Sequence, residues 1–238
     1  MTFNYVLVLT VYKRNYIEKQ LEAVMKQTVA PKYLVVFQNG NHINIEYLKE
    51  KYNFLHVKND YNTKYIGRFL YCLNFEVDYC IIMDDDIIPG SNCMNNYLTQ
   101  CRDLDSIIGG NGRKGFNNKT KRFKKPLEVG IRPTELLVDY VGHLWCIKQE
   151  HIRTMASIKP YTFDTGEDMH LCYSNKIIGN VKSYTAKQKT IEDSCDINMN
   201  KYSGDEFASY KTTDRELRVS VEKYFIDNYN LKLIESNY

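Results

Sequence analysis

The chain has 238 residues, 43% of them hydrophobic, enough to build one sizeable α/β core. Its 32 Lys and Arg against 29 Asp and Glu leave a net charge of +3, which calls for no nucleic-acid partner and is compatible with a phosphate-bearing substrate. Seven cysteines without a C-x-x-C pair argue against a disulfide framework, and no apolar stretch reaches membrane-spanning length, so a soluble protein of a reducing, cytoplasmic compartment is expected, the host cytoplasm if the source is viral.

The apolar run Tyr5 to Leu9 predicts a strand, and Ile17, Leu21, Val24 and Met25 then recur at helical spacing. Leu34 to Phe37 follows Pro31 as a second strand, Leu55 to Val57 as a weaker third, and Ile66 to Phe75 as a helix. Tyr79 to Met83 is a β-branched buried strand. The first hundred residues thus alternate β and α, which favours a parallel sheet with right-handed crossovers and a ligand crevice at the carboxyl ends of its strands. The second half is less regular. Ser106 to Ile108 predicts a short strand, and Gly109, Gly110, Gly112 and Gly115 predict a mobile loop or hairpin before the basic run Lys119 to Lys125, closed by Pro126. That run reads either as a phosphate-facing lid or as a solvated face. Strands are expected at Leu136 to Tyr140 and Leu144 to Ile147, helices at Gln149 to Met155 and from Thr165 to His170 onward, and an amphipathic helix from Asp214 to Tyr229.

The most informative feature is the triplet Asp84-Asp85-Asp86, directly after the strand Tyr79 to Met83. Three adjacent carboxylates repel one another unless a cation is present, and a hard divalent ion holding a diphosphate is the economical candidate. The structural alternative is an acid-rich helix start, with Pro89 and Ser91 opening a helix just beyond. Alternation along an extended chain places Asp84 and Asp86 on one side and Asp85 on the other.

In order along the chain, Leu9-Thr10-Val11-Tyr12-Lys13-Arg14, Lys26-Gln27-Thr28 with Pro31, Gln38-Asn39-Gly40, Gly67-Arg68, Asp84-Asp85-Asp86 and Glu167-Asp168 resemble the nucleotide-sugar-dependent glycosyltransferases of the GT-A fold, family 2 type. The resemblance implies one GT-A catalytic domain over 1–238, an α/β fold with a mainly parallel central sheet flanked by helices. Residues 1–100 would form the nucleotide-sugar half and 101–238 the acceptor half. It implies an inverting hexosyl or deoxyhexosyl transfer from a UDP-sugar to a hydroxyl of a glycan or glycoconjugate, with Mn²⁺ or Mg²⁺. Donor-binding residues would be Thr10, Tyr12, Arg14, Asn39, Gly67, Arg68, Asp84 and Asp85, with Asp86 as main metal ligand and Asp84 beside it. Asn39 stands where the family commonly has an acid. Many relatives supply a histidine ligand from the C-terminal region, and no histidine follows His170 here. Asp168 would be the general base, with Glu167 as its neighbour or in its place. In Gly142-His143-Leu144-Trp145, the tryptophan reads as a sugar-stacking ring or as core, and His143 as a donor-sugar contact or a structural residue.

A sugar-phosphate nucleotidyltransferase would use a similar sheet and metal but brings a glycine-rich basic signature after its first strand, which Thr10 to Arg14 lacks. An aspartyl phosphatase would need a threonine downstream of Asp86, where Ile87-Ile88 stands. A non-catalytic nucleotide-sugar or glycan-binding protein would bind donor without turnover.

Overall fold

The computed structural model describes residues 2–117, 122–127, 130–198, 201–202, 205–208, 211 and 215–234. Nine strands among them form one sheet: β1 (Tyr5–Val11), β2 (Tyr33–Asn39), β3 (Leu55–Asn59), β4 (Tyr79–Met83), β5 (Ile107–Asn117), β6 (Arg122–Leu127), β7 (Leu136–Val138), β8 (Tyr140–Lys148) and β9 (Ser183–Thr185). Their order is β3-β2-β1-β4-β8-β5-β9-β7, with β6 pairing outward from β5. The β3-β2-β1-β4 half is parallel throughout, whereas β8 runs antiparallel to both β4 and β5.

Alternation explains why the early strands are continuously apolar. Tyr5, Leu7, Leu9 and Val11 point into one core and Val6 and Val8 into the other; Ile81 and Met83 oppose Cys80 and Ile82 in the same way. The first core is covered by α1 (Ile17–Met25), α2 (Lys49–Tyr52) and α4 (Cys93–Leu104). The second is covered by α3 (Ile66–Tyr71), α5 (Gln149–Ser157), α6 (Glu167–Gly179) and α7 (Arg215–Tyr229). All seven cysteines are free and buried. Among the described residues, no helix is long and apolar enough to cross a membrane.

The glycine-rich segment is extended rather than looped. Gly109, Gly110 and Gly112 lie within β5, where a Cβ at Gly109 would collide with Val141, one at Gly110 would meet Cys195 Sγ at 2.7 Å, and one at Gly112 would meet Thr185 Cγ2 at 2.6 Å. These glycines let neighbouring strands and the 195 segment approach closely, a role that local sequence does not distinguish from turn formation. The expected hairpin is present as β5 and β6. The basic run begins at 119–121, outside the described residues, and continues as the backbone of β6. The helix expected to reach Phe75 ends at Tyr71 and continues as a 3-10 turn, Cys72–Asn74.

Candidate active site

The acids following β4 lie against the start of α1, the α3 face and the first residues of β8. Gln20, buried on α1, donates to the carbonyls of Asp84 (2.7 Å) and Ile87 (2.9 Å) and so pins the backbone of the triplet. The antiparallel pairing of β8 brings His143 alongside, with Asp84 N–H donating to its carbonyl at 3.0 Å. Asp84, Asp86 and His143 each offer one ligand atom within 4.8 Å of the others, a cluster that can hold a metal ion. Asp84 and Asp86 share a side, and Asp85 turns the other way, accepting from Tyr12 N–H at 3.2 Å and Arg14 Nη1 at 2.5 Å.

Two observations show that the cluster suits a cation. Asp86 Oδ1 and His143 Nδ1 are buried, lack hydrogen-bond partners and face each other at 4.0 Å. Burial, followed by the charge of Asp84, pushes the Asp86 carboxyl up to about 7, while burial pushes the His143 imidazole down. Buried polar atoms without partners are costly, and two oxygens with one imidazole nitrogen suit a divalent ion. His143 also holds a left-handed backbone at φ 66°, opposite a register shift between Gly109 and Asn111 in β5. Asp85 is likewise raised to about 7 by burial, because one guanidinium does not offset the desolvation of so crowded an acid group.

Arg14 is the main counter-charge. It forks onto Asp205 through Nε and Nη2, each at 2.7 Å, and lies 3.5 Å from Asp86. Arg68 is buried. Its Nη1 donates to Thr10 Oγ1 (3.0 Å) and Asp84 Oδ1 (2.6 Å), its Nη2 to Glu167 Oε1 (3.3 Å), and its guanidinium lies 4.8 Å over the Trp145 ring. Thr10 is thereby engaged by a side chain. Trp145 is a core residue, 2% exposed, bonding Val141 O through Nε1 at 2.9 Å and meeting Phe69 edge-on.

Asn39 holds the loop between β3 and α3. Its Oδ1 accepts from Thr63 N–H (3.3 Å), Thr63 Oγ1 (2.9 Å) and Asn59 Nδ2 (3.3 Å). Gly67 serves the same packing, since a Cβ there would stand 2.8 Å from Thr63 Oγ1. Tyr12 is half-buried, edge-on to His42 at 6.4 Å, with Lys13 Nζ 5.2 Å over its ring.

Glu167 and Asp168 open α6 behind Gly166, whose φ of 82° admits the chain into the helix. Glu167 is buried and raised to about 7, by burial first and by Asp168 next. Asp168 receives Arg218 Nη2 at 2.6 Å, and Arg218 also reaches Thr165 Oγ1 at 3.1 Å. Arg68 therefore ties the two acidic motifs together, from Asp84 on one side to Glu167 on the other.

Known proteins add to this geometry at the level of the fold. No protein-family model matches the sequence, and no curated protein matches it. Among solved structures, the chain is similar to S. aureus TarS, a glycosyltransferase, with 11% identity and a TM-score of 0.52 over 77% of this chain and 36% of that one. It is similar also to TarS 1-349, with 12% identity and a TM-score of 0.53 over 77% of this chain and 60% of that one. The fold is GT-A-like. What is shared at this identity is the chain path, and this chain spans about a third and three fifths of the two TarS chains.

In this GT-A-like sheet the acids stand where open α/β sheets bind ligands, at the carboxyl end of β4 and the facing start of β8. A cavity of 460 Å³ behind the acid loop, between α1, Pro89 and Glu192, is lined by none of Asp84, Asp85 and Asp86. In the sequence His143 carries the expectation of a donor-sugar contact or a structural residue and none of a metal ligand; the antiparallel return of β8 brings it beside Asp84 and Asp86. Gln20, Asp205 and Arg218 were also missed. Their partners lie 64, 191 and 50 residues away, and no local pattern marks such contacts.

Proposed function

We propose that the chain is an inverting, metal-dependent glycosyltransferase that moves a hexosyl or deoxyhexosyl group from a UDP-sugar to a hydroxyl of a glycan or glycoconjugate. The observation that carries this reading is the Asp84, Asp86 and His143 cluster with its two unpartnered buried atoms, set at the strand ends of a GT-A-like sheet. Asp86 and His143 would hold the ion and Asp84 would support it, the nitrogen ligand favouring Mn²⁺ over Mg²⁺. When bound, the ion supplies charge stabilisation to the departing diphosphate.

The chain's own residues divide the remaining work. Tyr12 offers a half-exposed ring beside His42 for a base to pack on, in a loop that Asn39 and Thr63 hold in shape. Arg14, already within 3.5 Å of Asp86, is the cation best placed to exchange Asp205 for a phosphate oxygen. Asp168, more open than Glu167, accepts the proton of the attacking hydroxyl, and Arg218 orients its carboxylate. Glu167 positions Arg68. A single in-line displacement inverts the anomeric centre.

A panel of UDP- and GDP-sugars with Mn²⁺, read as release of free nucleoside diphosphate, tests this reading. Turnover of a UDP-sugar, abolished by chelator, is the expected result. Binding of UDP-sugar without any release would make the chain a binding protein, and release of pyrophosphate from UTP and a sugar phosphate would make it a nucleotidyltransferase.

A further inference from the structure

Three arginines around the two acidic motifs are matched to acids: Arg14 to Asp85 and Asp205, Arg68 to Asp84 and Glu167, and Arg218 to Asp168. Arg113 is not. It stands on β5 directly opposite Tyr140 of β8, half-buried, and its Nη1 is shielded from water with no hydrogen-bond partner. Among the described residues no carboxylate forms an ion pair with it. Burial works against its charge, which Tyr140 and Asp168 support and Arg218 opposes. It is felt also at His143. Tyr140, its cross-strand partner, lies with its ring under the Arg218 guanidinium at 5.8 Å, and Arg218 in turn holds Asp168, so the strand pairing sets Arg113 on the side of the proposed base. A guanidinium half out of water without a partner is destabilising, and its planar fork matches a phosphate or carboxylate.

We propose that Arg113 is an anion subsite for the acceptor, so that the acceptor presents a phosphate or carboxylate group close to the hydroxyl that attacks. The inference rests on the glycosyl-transfer reading for its direction. In an in-line displacement the attacking hydroxyl and the leaving diphosphate occupy opposite sides of the anomeric carbon. A cation grouped with the base through Tyr140 and Arg218 meets the acceptor, while Arg14, grouped with Asp85 and Asp86, meets the leaving group. Arg218 has its Nη1 and Nη2 committed to Thr165 and Asp168, so of these two arginines it is Arg113 whose Nη1 still lacks a partner.

The test compares two matched pairs of probes by calorimetric titration, with UDP and Mn²⁺ saturating: methyl glucuronoside against methyl glucoside, and glycerol 3-phosphate against glycerol. The wild type should bind at least one anionic member tenfold or more tightly than its neutral counterpart, and the pair that shows the preference says whether the group is carboxylate or phosphate. R113Q should erase the preference with UDP affinity unchanged, and R113K, which keeps charge but not the fork, should retain part of it. Absence of preference in the wild type, or its survival in R113Q, overturns the proposal. A tenfold loss of UDP affinity in R113Q also overturns it and assigns Arg113 to the diphosphate. UDP binding is measured first by itself. Failure there counts against glycosyl transfer, and the probe comparison is then read without nucleotide.

Discussion

The two acidic clusters, after β4 and at the start of α6, are held in opposite ways. At Glu167 and Asp168 each carboxylate meets an arginine, Arg68, which Asp84 shares, and Arg218, and no carboxylate is left without a cation. At Asp84 to Asp86 the pairing stops short, because Asp86 Oδ1 and His143 Nδ1 face each other with nothing between them to bond. A closed cluster keeps its geometry without a ligand, while an incomplete one is completed by a ligand. Under the proposed function, the contrast suits the α6 acids to positioning and proton transfer and the β4 acids to cation binding.

The largest expected effect breaks the incomplete cluster. Asp86→Ala should lower donor turnover by about ten-thousandfold, the scale of the several kcal/mol that a metal supplies to a leaving group, while the melting temperature without metal stays near that of the wild type. Steady-state kinetics with Mn²⁺ beside a thermal scan reads both; near-normal turnover would remove the cluster from the chemistry. Next, Asp168→Asn should reduce transfer by about a thousandfold, within the range of general bases, with donor affinity retained. If donor affinity collapsed instead, the closed cluster would be part of the donor site. Arg68→Met strikes the bridge between the clusters. It strands Asp84 and Glu167 together and should cost about 3 kcal/mol in urea unfolding at neutral pH, less at pH 5, where a Glu167 raised to about 7 is protonated in the folded state.

The smallest effect separates the cleft from the core by the sign of its pH dependence. Glu167, raised from 4.5 to about 7, favours the folded state below pH 4.5, and that contribution is lost as pH rises towards 7. His151, buried on α5 and lowered from 6.5 to about 4, acts oppositely: the unfolded chain takes a proton that the folded one refuses, so stability falls as pH drops from 6.5 to 4. His151→Gln should flatten that acid limb by on the order of 2 kcal/mol, read from urea midpoints at pH 7 and 4.5. An unchanged limb would mean that His151 is protonated in the fold.

How far the sequence revealed this arrangement differs between the halves for a physical reason. The strands β1, β2 and β4 are buried on both faces, so each is an apolar run visible without context, and the acids after β4 stand out against it. The alternation of Asp84 and Asp86 was readable for the same reason. In the second half, β5 carries glycines where Val141, Thr185 and Cys195 press close, and a glycine selected by a distant neighbour looks locally like one selected by a turn. The three-residue β9 is too short to show a period. The surroundings of Arg68, namely Thr10, Trp145 and Glu167, are brought together only by the sheet, and no local pattern around Gly67-Arg68 announces them. His143 became a ligand candidate through strand pairing with β4, which no spacing in the sequence encodes.

The central claim, that the β4 cluster is completed by a divalent cation, is tested most directly by titrating Mn²⁺ into the UDP-bound wild type and His143→Ala by electron paramagnetic resonance. One Mn²⁺ per chain in the wild type, with at least tenfold weaker binding in the variant and unchanged folding by circular dichroism, is the result predicted. Equal Mn²⁺ binding by both proteins, or none by either while donor turnover persists in excess chelator, would contradict it.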